Sequence, residues 1–322
     1  MRKVKWGILS TAKIAMEKVI PAMQNGQYCE ISGIASREKE KAESAAKLLG
    51  ISKAYSGYQE LLDDPEIEAV YIPLPNHLHV EWAIKALESG KHVLCEKPIG
   101  LNTQEAKKLL DVSKTYSHLK IMEAFMYRFH PQWIKTKQLV DSGKVGSIQT
   151  IQSAFAYHNI APENIRNIAA YGGGGLMDIG CYCISLSRFI INTEPEVYSA
   201  KIKYHEDFGT DVLVSAIMDF GETVSSFTCG TQLAPYQRVN ILGDVGRIEI
   251  EIPFNAPPDA SCKISFSSPG GVEEIRFDPC DQYTVQGDEF AKAIIENTAV
   301  PTPLEDAVAN MRVIDKIFHI AK

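Results

Sequence analysis

Positive charge is scarce in this chain: 33 lysines and arginines stand against 40 aspartates and glutamates, a net charge of −7. A nucleic-acid partner normally needs a basic stripe, and this balance argues against one. Unbroken apolar runs are short, and none approaches the roughly 18 residues of a membrane span. The opening MRKVKWGILS is basic but passes straight into a strand pattern, with no apolar region or cleavage site of an export signal. The seven cysteines (29, 95, 181, 183, 229, 262 and 280) are odd in number and scattered, which argues against a disulfide framework. Cys181 and Cys183 stand one residue apart with no second pair to complete a zinc quartet, and the histidines show no metal-ligand spacing. Internal repeats and low-complexity linkers are missing as well. These absences predict free buried thiols, no metal, no nucleic-acid or membrane partner, and a cytoplasmic setting.

What is present is size and alternation. At 322 residues and 45% hydrophobic, the chain can bury two cores. Over residues 1–125 the strand patterns VKWGILS, YCEISGIAS, KAYS, EAVYIPL, HVLCEK and KIMEAF alternate with amphipathic helical segments. That rhythm predicts an α/β N-terminal Rossmann domain, a doubly wound parallel sheet. After Phe125 it changes. One helix, PQWIKTKQLVDSG, precedes strands near 147–158, a glycine-rich loop and a helix over 174–190. From Glu196 to Phe277 the text is strand and turn, with DFGE and GDVG as hairpin turns, before helices near 283–297 and 304–321. Residues 126–322 are therefore predicted to form an α+β C-terminal domain with a large, mainly antiparallel open sheet. The last helix is expected to pack back on the first domain.

The first strand-to-helix turn is where a dinucleotide fingerprint, G-x-G-x-x-G, belongs. Here it reads Ser10-Thr11-Ala12-Lys13-Ile14-Ala15, with every glycine replaced by a small residue. Ser10, Ala12 and Ala15 still allow close backbone approach, and a helix start still offers N–H groups to a pyrophosphate. The alternative is an ordinary βα turn without a ligand. At the end of the second strand, where an NAD site places an acid, stand Ala35-Ser36-Arg37, with Lys39 and Lys41 behind. A hydroxyl and a guanidinium suit a 2′-phosphate that a carboxylate would repel, which favours NADP and leaves NAD possible. Ser36 as a helix N-cap and Arg37 as a solvated charge are the plainer readings. PLPNHLH follows the strand EAVYI and brings Pro73, Asn76 and His77 to the same edge. Asn76 reads as an N-cap, and His77 as a ribose contact or a structural residue.

HVLCEKPIG poses a sharper question, because an apolar strand runs into Glu96, Lys97 and Pro98. Two charges at a strand end are costly to bury without a partner or a task. Proline holds the residue before it extended, and ligands of open α/β sheets bind outside the carboxyl edge. Lys97 and Glu96 are accordingly placed in the site, against the alternative of a surface lysine paired with Glu96. A second cluster is GGGGLMDIGCYCIS, where a helix beginning near Gly174 puts Asp178 and Tyr182 on one face. A nearby ammonium lowers a tyrosine's pKa towards a useful acid–base range, and Lys97 can supply it. The alternative is a packed helix with Asp178 capping or paired and Tyr182 in the core.

Taken in order, WGILSTAKIA, ASR, PLPNHLH, CEKPIG, EAFMYRFHP and GGGGLMDIGCY resemble the glucose-fructose oxidoreductase / inositol dehydrogenase / rhizopine-catabolism (Gfo/Idh/MocA) family over essentially the whole chain. The likeness is nearest to its dimeric dihydrodiol dehydrogenase and NADP-dependent D-xylose dehydrogenase branch, in which the missing glycines recur. It implies an NADP-dependent enzyme moving a hydride between nicotinamide and a carbinol carbon of a sugar, polyol or trans-diol. It also implies that Lys97 is catalytic or orients the substrate and that Asp178 contacts it. Many members carry histidine four residues after that aspartate; Tyr182 stands there instead, which disfavours an inositol substrate and favours tyrosine as the proton donor or acceptor. Arg128, Tyr157 and Arg166 are further substrate-side candidates. The family's open sheet implies a homodimer or homotetramer, for which VLVSAIMDF and VSSFTCG are expected to offer an apolar face. Two rival readings are an NADP-binding sensor without catalysis, and a sugar–sugar oxidoreductase with tightly held cofactor. Retention of both Lys97 and Tyr182 argues against the sensor.

Overall fold

The computed structural model describes residues 2–321. The chain forms two compact units: one runs to Met126 and takes back Tyr283–Val308, the other is Tyr127–Gln282 and resumes at Ala309.

The first unit is built on six strands, β1 (Val4–Leu9), β2 (Cys29–Ser36), β3 (Lys53–Ser56), β4 (Ala69–Ile72), β5 (His92–Cys95) and β6 (Ile121–Glu123). They pair in parallel in the order β3-β2-β1-β4-β5-β6. This is the predicted doubly wound arrangement, and its order reverses between β1 and β4. A crevice opens at the carboxyl ends of strands at such a reversal. Strands covered on both faces need continuous apolar side chains, and every residue of β4 is buried. The connecting helices are α1 (Ile20–Gln24), α2 (Lys39–Leu49), α3 (Tyr58–Leu62), α4 (His79–Glu88) and α5 (Thr103–Thr115). A π-helical turn, Ala15–Val19, leads into α1. The unit is completed by α8 (Gln282–Ile295), while α9 (Leu304–Ile320) enters it only with its first residues. The reason is local packing: Phe290 lies 5.6 Å from the Trp6 ring, and Asp288 accepts the N–H groups of Gln27 and Tyr28, each at 2.9 Å.

The second unit holds α6 (Pro131–Asp141), α7 (Cys181–Ile191) and eight strands. These are β7 (Ile148–His158), β8 (Glu196–Tyr204), β9 (Asp211–Asp219), β10 (Val224–Gly230), β11 (Gln232–Gly243), β12 (Arg247–Ile250), β13 (Cys262–Ser268) and β14 (Gly271–Phe277). Their order is β14-β13-β12-β11-β7-β10-β9-β8, antiparallel except where β10 runs parallel to β7. Strand alternation buries Val212, Val214, Ala216 and Met218 and leaves Ser215, Ile217 and Asp219 exposed. The open side is mixed, with Ile217 and Val224 exposed on it beside serine and threonine hydroxyls. Gln152, Ser199, Ser215, Ser226 and Thr228, with Ile217, surround a depression of about 490 Å³. In β9 the period of 2 sends Val212, Val214, Ala216 and Met218 inward and Ser215 and Ile217 outward.

Two more expectations change. Residues 169–191 do have the length and apolar composition of a membrane span, though broken by polar residues; 89% of an 18-residue window within them is buried inside the protein. Among the cysteines, all free, Cys280 is only half-buried.

Candidate functional site

At the carboxyl edge of the first sheet, β1 ends in a turn that keeps a fingerprint geometry without its glycine. Ser10 has φ +148°, a conformation that glycine adopts readily and other residues rarely. Its Oγ accepts the Ala12 N–H at 2.9 Å, which offsets part of the strain. Strain of this kind, of order 1–3 kcal/mol, persists where the surroundings demand it, and it concentrates at ligand sites. Thr11, Ala12 and Ile14 are half-buried beside it, while Lys13 is exposed and 3.9 Å from Glu17. The helix opens at Lys13, directly after this turn, and the first N–H groups of a helix, which have no intrahelical acceptor, can face an anion there.

Ser36 is buried at the end of β2 and accepts the Glu38 N–H at 3.3 Å. Glu38 itself occupies the N-cap of α2, so Ser36 is not the cap that was one reading of it. Arg37 is exposed, and among the described residues no carboxylate lies within ion-pair distance of it. Lys41 pairs with Glu38 at 2.6 Å on the surface. After β4, Pro73 is buried and Asn76 and His77 are half-buried. Asn76 is not an N-cap: Pro75, extended at φ −60° and ψ 148°, takes the cap position, and Asn76 opens a 3₁₀ turn.

The lysine raised by HVLCEKPIG stands between anchored neighbours. β5 ends at Cys95, and the Glu96 N–H continues to the Ile72 carbonyl at 3.1 Å. The Tyr71 hydroxyl donates to Glu96 Oε1 at 2.6 Å. Past the cis Lys97–Pro98 bond, the Ile99 N–H donates to the buried Glu123 Oε1 at 2.7 Å. His79, fully buried, sits with Nδ1 2.7 Å from the Pro98 carbonyl and Nε2 2.7 Å from that of Leu74. It links the loop after β4 to the loop after β5. The sequence excludes His79 as a metal ligand by its spacing but does not show this fastening, because it joins backbone atoms that no spacing rule connects.

In the second unit the substrate-side candidates do gather. Asp178 Oδ2 accepts from the Tyr157 hydroxyl at 2.7 Å and from Arg166 Nε at 2.8 Å. The Asp178 side chain is 12% exposed and that of Arg166 41%, so the carboxylate is sheltered while the guanidinium reaches solvent. Burial, and then the Asp178 charge, push the Tyr157 phenol far above its ordinary pKa, leaving it a donor. Tyr182 lies close enough for its charge to act on Arg166.

Asp178 belongs to a π-helical turn, Leu176–Gly180, that runs into α7, which carries Tyr182. Single π turns inside helices recur at functional sites because they re-aim side chains. The Tyr182 ring is held by Tyr127 at 5.7 Å, Phe155 at 5.7 Å and Phe254 at 5.3 Å.

Phe254 rides on a loop strapped from several elements. Gln132 Nε2 donates to the Ile252 carbonyl, Trp133 Nε1 to that of Pro253, and Gln282 Nε2 to that of Phe254. Gln237 Oε1 accepts the Phe254 and Asn255 N–H groups. Neither Phe155 nor Phe254 was singled out from sequence, where both read as ordinary strand or loop aromatics. Arg128 is directed to framework: its Nη2 donates to Ser185 Oγ at 2.7 Å and its guanidinium lies over Phe189.

No group of three or more His, Cys, Asp and Glu side chains that could hold a metal ion exists among the described residues. The donor set around the first edge suits a dinucleotide: a strained turn at a helix start, and a hydroxyl with an unpaired guanidinium in place of an acid.

Comparison with known proteins agrees with this architecture. Residues 4–124 match the model of an oxidoreductase family with an NAD-binding Rossmann fold, and residues 133–249 match the GFO/IDH/MocA C-terminal domain. The chain is 36% identical to a D-xylose 1-dehydrogenase (NADP+) of Haloferax volcanii, over 98% of this chain and 97% of that one. It is 31% identical to a trans-1,2-dihydrobenzene-1,2-diol dehydrogenase of Xenopus laevis, over 76% and 74% of the two chains. Among solved structures, a 3-ketoreductase from Actinomadura kijaniata, in complex with NADP and TDP-benzene, superposes with a TM-score of 0.92 at 27% identity, covering 99% of this chain and 98% of that one. The chain belongs to the GFO/IDH/MocA family of oxidoreductases.

Proposed function

We propose that the protein is an NADP-dependent oxidoreductase acting on a carbinol carbon of a sugar, polyol or trans-diol, with Lys97 and Tyr182 as its acid–base pair. The carrying observation is the fastening of Glu96, Pro98 and Ile99 around Lys97, at the edge where open α/β sheets bind ligands. Bound at that edge, the dinucleotide supplies the hydride acceptor or donor. Oxidation of a substrate alcohol removes a hydride from carbon and a proton from oxygen. Tyr182 takes the proton, and the Lys97 ammonium stabilises the phenolate and the developing alkoxide. Asp178, steadied by Tyr157 and Arg166, accepts a hydrogen bond from a neighbouring hydroxyl. Reduction runs the same steps in reverse. Support for the substrate class comes from the named activities of the xylose and dihydrodiol dehydrogenases.

A panel of sugars, polyols and trans-diols assayed with NADP and NAD at the nicotinamide absorbance band tests this reading. NADP is expected to bind more tightly than NAD, and Ser36→Asp to narrow or invert that preference by repelling the 2′-phosphate. Tighter NAD binding by the parent protein overturns the cofactor assignment. NADP binding with no turnover on any substrate moves the regulator reading ahead, and cofactor retained through desalting points to the sugar–sugar reaction. Association is proposed through the open face of the second sheet. Light scattering at micromolar concentration is expected to give a multiple of 35.7 kDa; a monomer mass rejects it.

A further inference from the structure

Asp211, the first residue of β9, is 1% exposed, and its Oδ2 accepts the Leu176 N–H at 2.6 Å, 35 residues away in sequence. The Gly175 N–H bonds it as well. These amides open the helix that carries Asp178 and then Tyr182, and its glycine start offers no side chain to cap them. Uncapped N-terminal amides buried in protein need an acceptor from elsewhere. The preceding loop is shaped around this carboxylate: Gly174 has φ +115°, and a Cβ there would lie 2.0 Å from Asp211 Oδ1.

The groups that act on Asp211, or on which it acts, come from four elements. They are Asp178 from the helix start, Tyr157 from β7, Tyr204 from β8 and Cys229 from β10. Burial pushes the Asp211 carboxyl up to about 6, against the pull of three amides, those of Leu176, Asp211 itself and Gly175, and Asp178 adds to the rise. An anion is thus kept where burial opposes it, which a purely packing role does not require.

We infer that Asp211 is a positioning residue for the reaction proposed above, an ionised cap delivered from β9 that fixes the first turn of the helix bearing Asp178 and Tyr182. It touches neither substrate nor cofactor. It acts through the direction in which the helix presents those two side chains, and misplacement on the order of 1 Å costs about 10²-fold in rate.

Asp211→Asn keeps the shape and removes the charge. It is expected to lower kcat by about 10- to 100-fold near pH 7 while leaving the NADP Kd nearly unchanged. In the parent, kcat is expected to rise with pH through about 6 as Asp211 ionises, and the variant to lose that inflection. Parental kcat in the variant overturns the inference, and so does a lowered kcat with the inflection retained. A second measurement needs neither turnover nor the variant: amide hydrogen exchange at Gly175 and Leu176 in the parent, corrected for intrinsic rates. Protection there is expected to increase as pH rises through 6, and protection that stays flat overturns the inference. The inference rests on the functional reading, yet the two fail separately. A parent that turns over nothing sinks the functional reading, while the exchange titration still decides Asp211.

Discussion

Lys97→Met is expected to lower turnover by roughly 10²-fold or more while NADP binding stays nearly intact. Methionine keeps most of the aliphatic stem, and three of the surrounding bonds are made by other groups. Tyr71 still holds Glu96, His79 still meets the Pro98 carbonyl, and Glu123 still takes the Ile99 N–H. The loss therefore reports the ammonium. Tyr182→Phe is expected to do likewise, because Tyr127, Phe155 and Phe254 hold the ring and only the hydroxyl disappears. If the two act as one unit, the double variant falls little further than either single one. The alkaline-side kinetic pKa, which belongs to the pair, is lost in the tyrosine variant. Steady-state kinetics with any active substrate, beside a cofactor titration, read all of this. Full turnover in either single variant returns Lys97 to the role of a surface lysine beside Glu96 and favours the regulator.

Acidification from pH 6.5 to 4 is expected to destabilise the protein, chiefly through buried histidines. Burial pushes three histidines, His79, His92 and His130, from about 6.5 down to about 4. For two of them the geometry adds a reason. His92 Nδ1 accepts the Lys120 N–H at 2.8 Å and His130 Nδ1 the Gln132 N–H at 3.2 Å, and protonation of that nitrogen breaks each bond.

A base whose folded pKa lies below its unfolded value binds fewer protons when folded. Its stabilising contribution is complete above pH 6.5 and is lost as pH falls towards 4. Each such histidine is worth up to ~3 kcal/mol, from ~2.5 pKa steps at ~1.4 kcal/mol each. Asp211 runs the other way: raised to about 6, it returns up to ~3 kcal/mol as it protonates. The net loss is ~6 kcal/mol, a large share of the ~5–15 kcal/mol that a domain possesses. Urea midpoints measured at a series of pH values check it. They are expected to fall between pH 6.5 and 4, more steeply for the unit that carries His79 and His92. Midpoints that hold constant or rise over that interval refute the assignment.

Much of this protein was legible in its sequence, for a local reason. The periods of strands and helices are set by neighbouring residues, so VKWGILS and EAVYIPL announce β1 and β4 without reference to anything distant. Lys97 was legible because charge and proline interrupt an apolar strand at one point. The Asp178–Tyr182 spacing was legible because four residues make about one helical turn.

Only the tertiary structure decided the rest. The fingerprint at Ser10 is invisible as a motif, since what survives is a backbone angle and not a residue type. The Asp211 cap spans 35 residues, and the Gln132 and Trp133 bonds that strap the loop of Phe254 span 120 each. The mixed character of the open face follows from which side of β9 is covered, which alternation alone leaves undetermined. Periodicity records which residues share a face or a turn. Which distant carboxylate, amide or aromatic ring then meets that face depends on how the sheet is ordered, and β9 reaches the helix start only because the strand order brings it there.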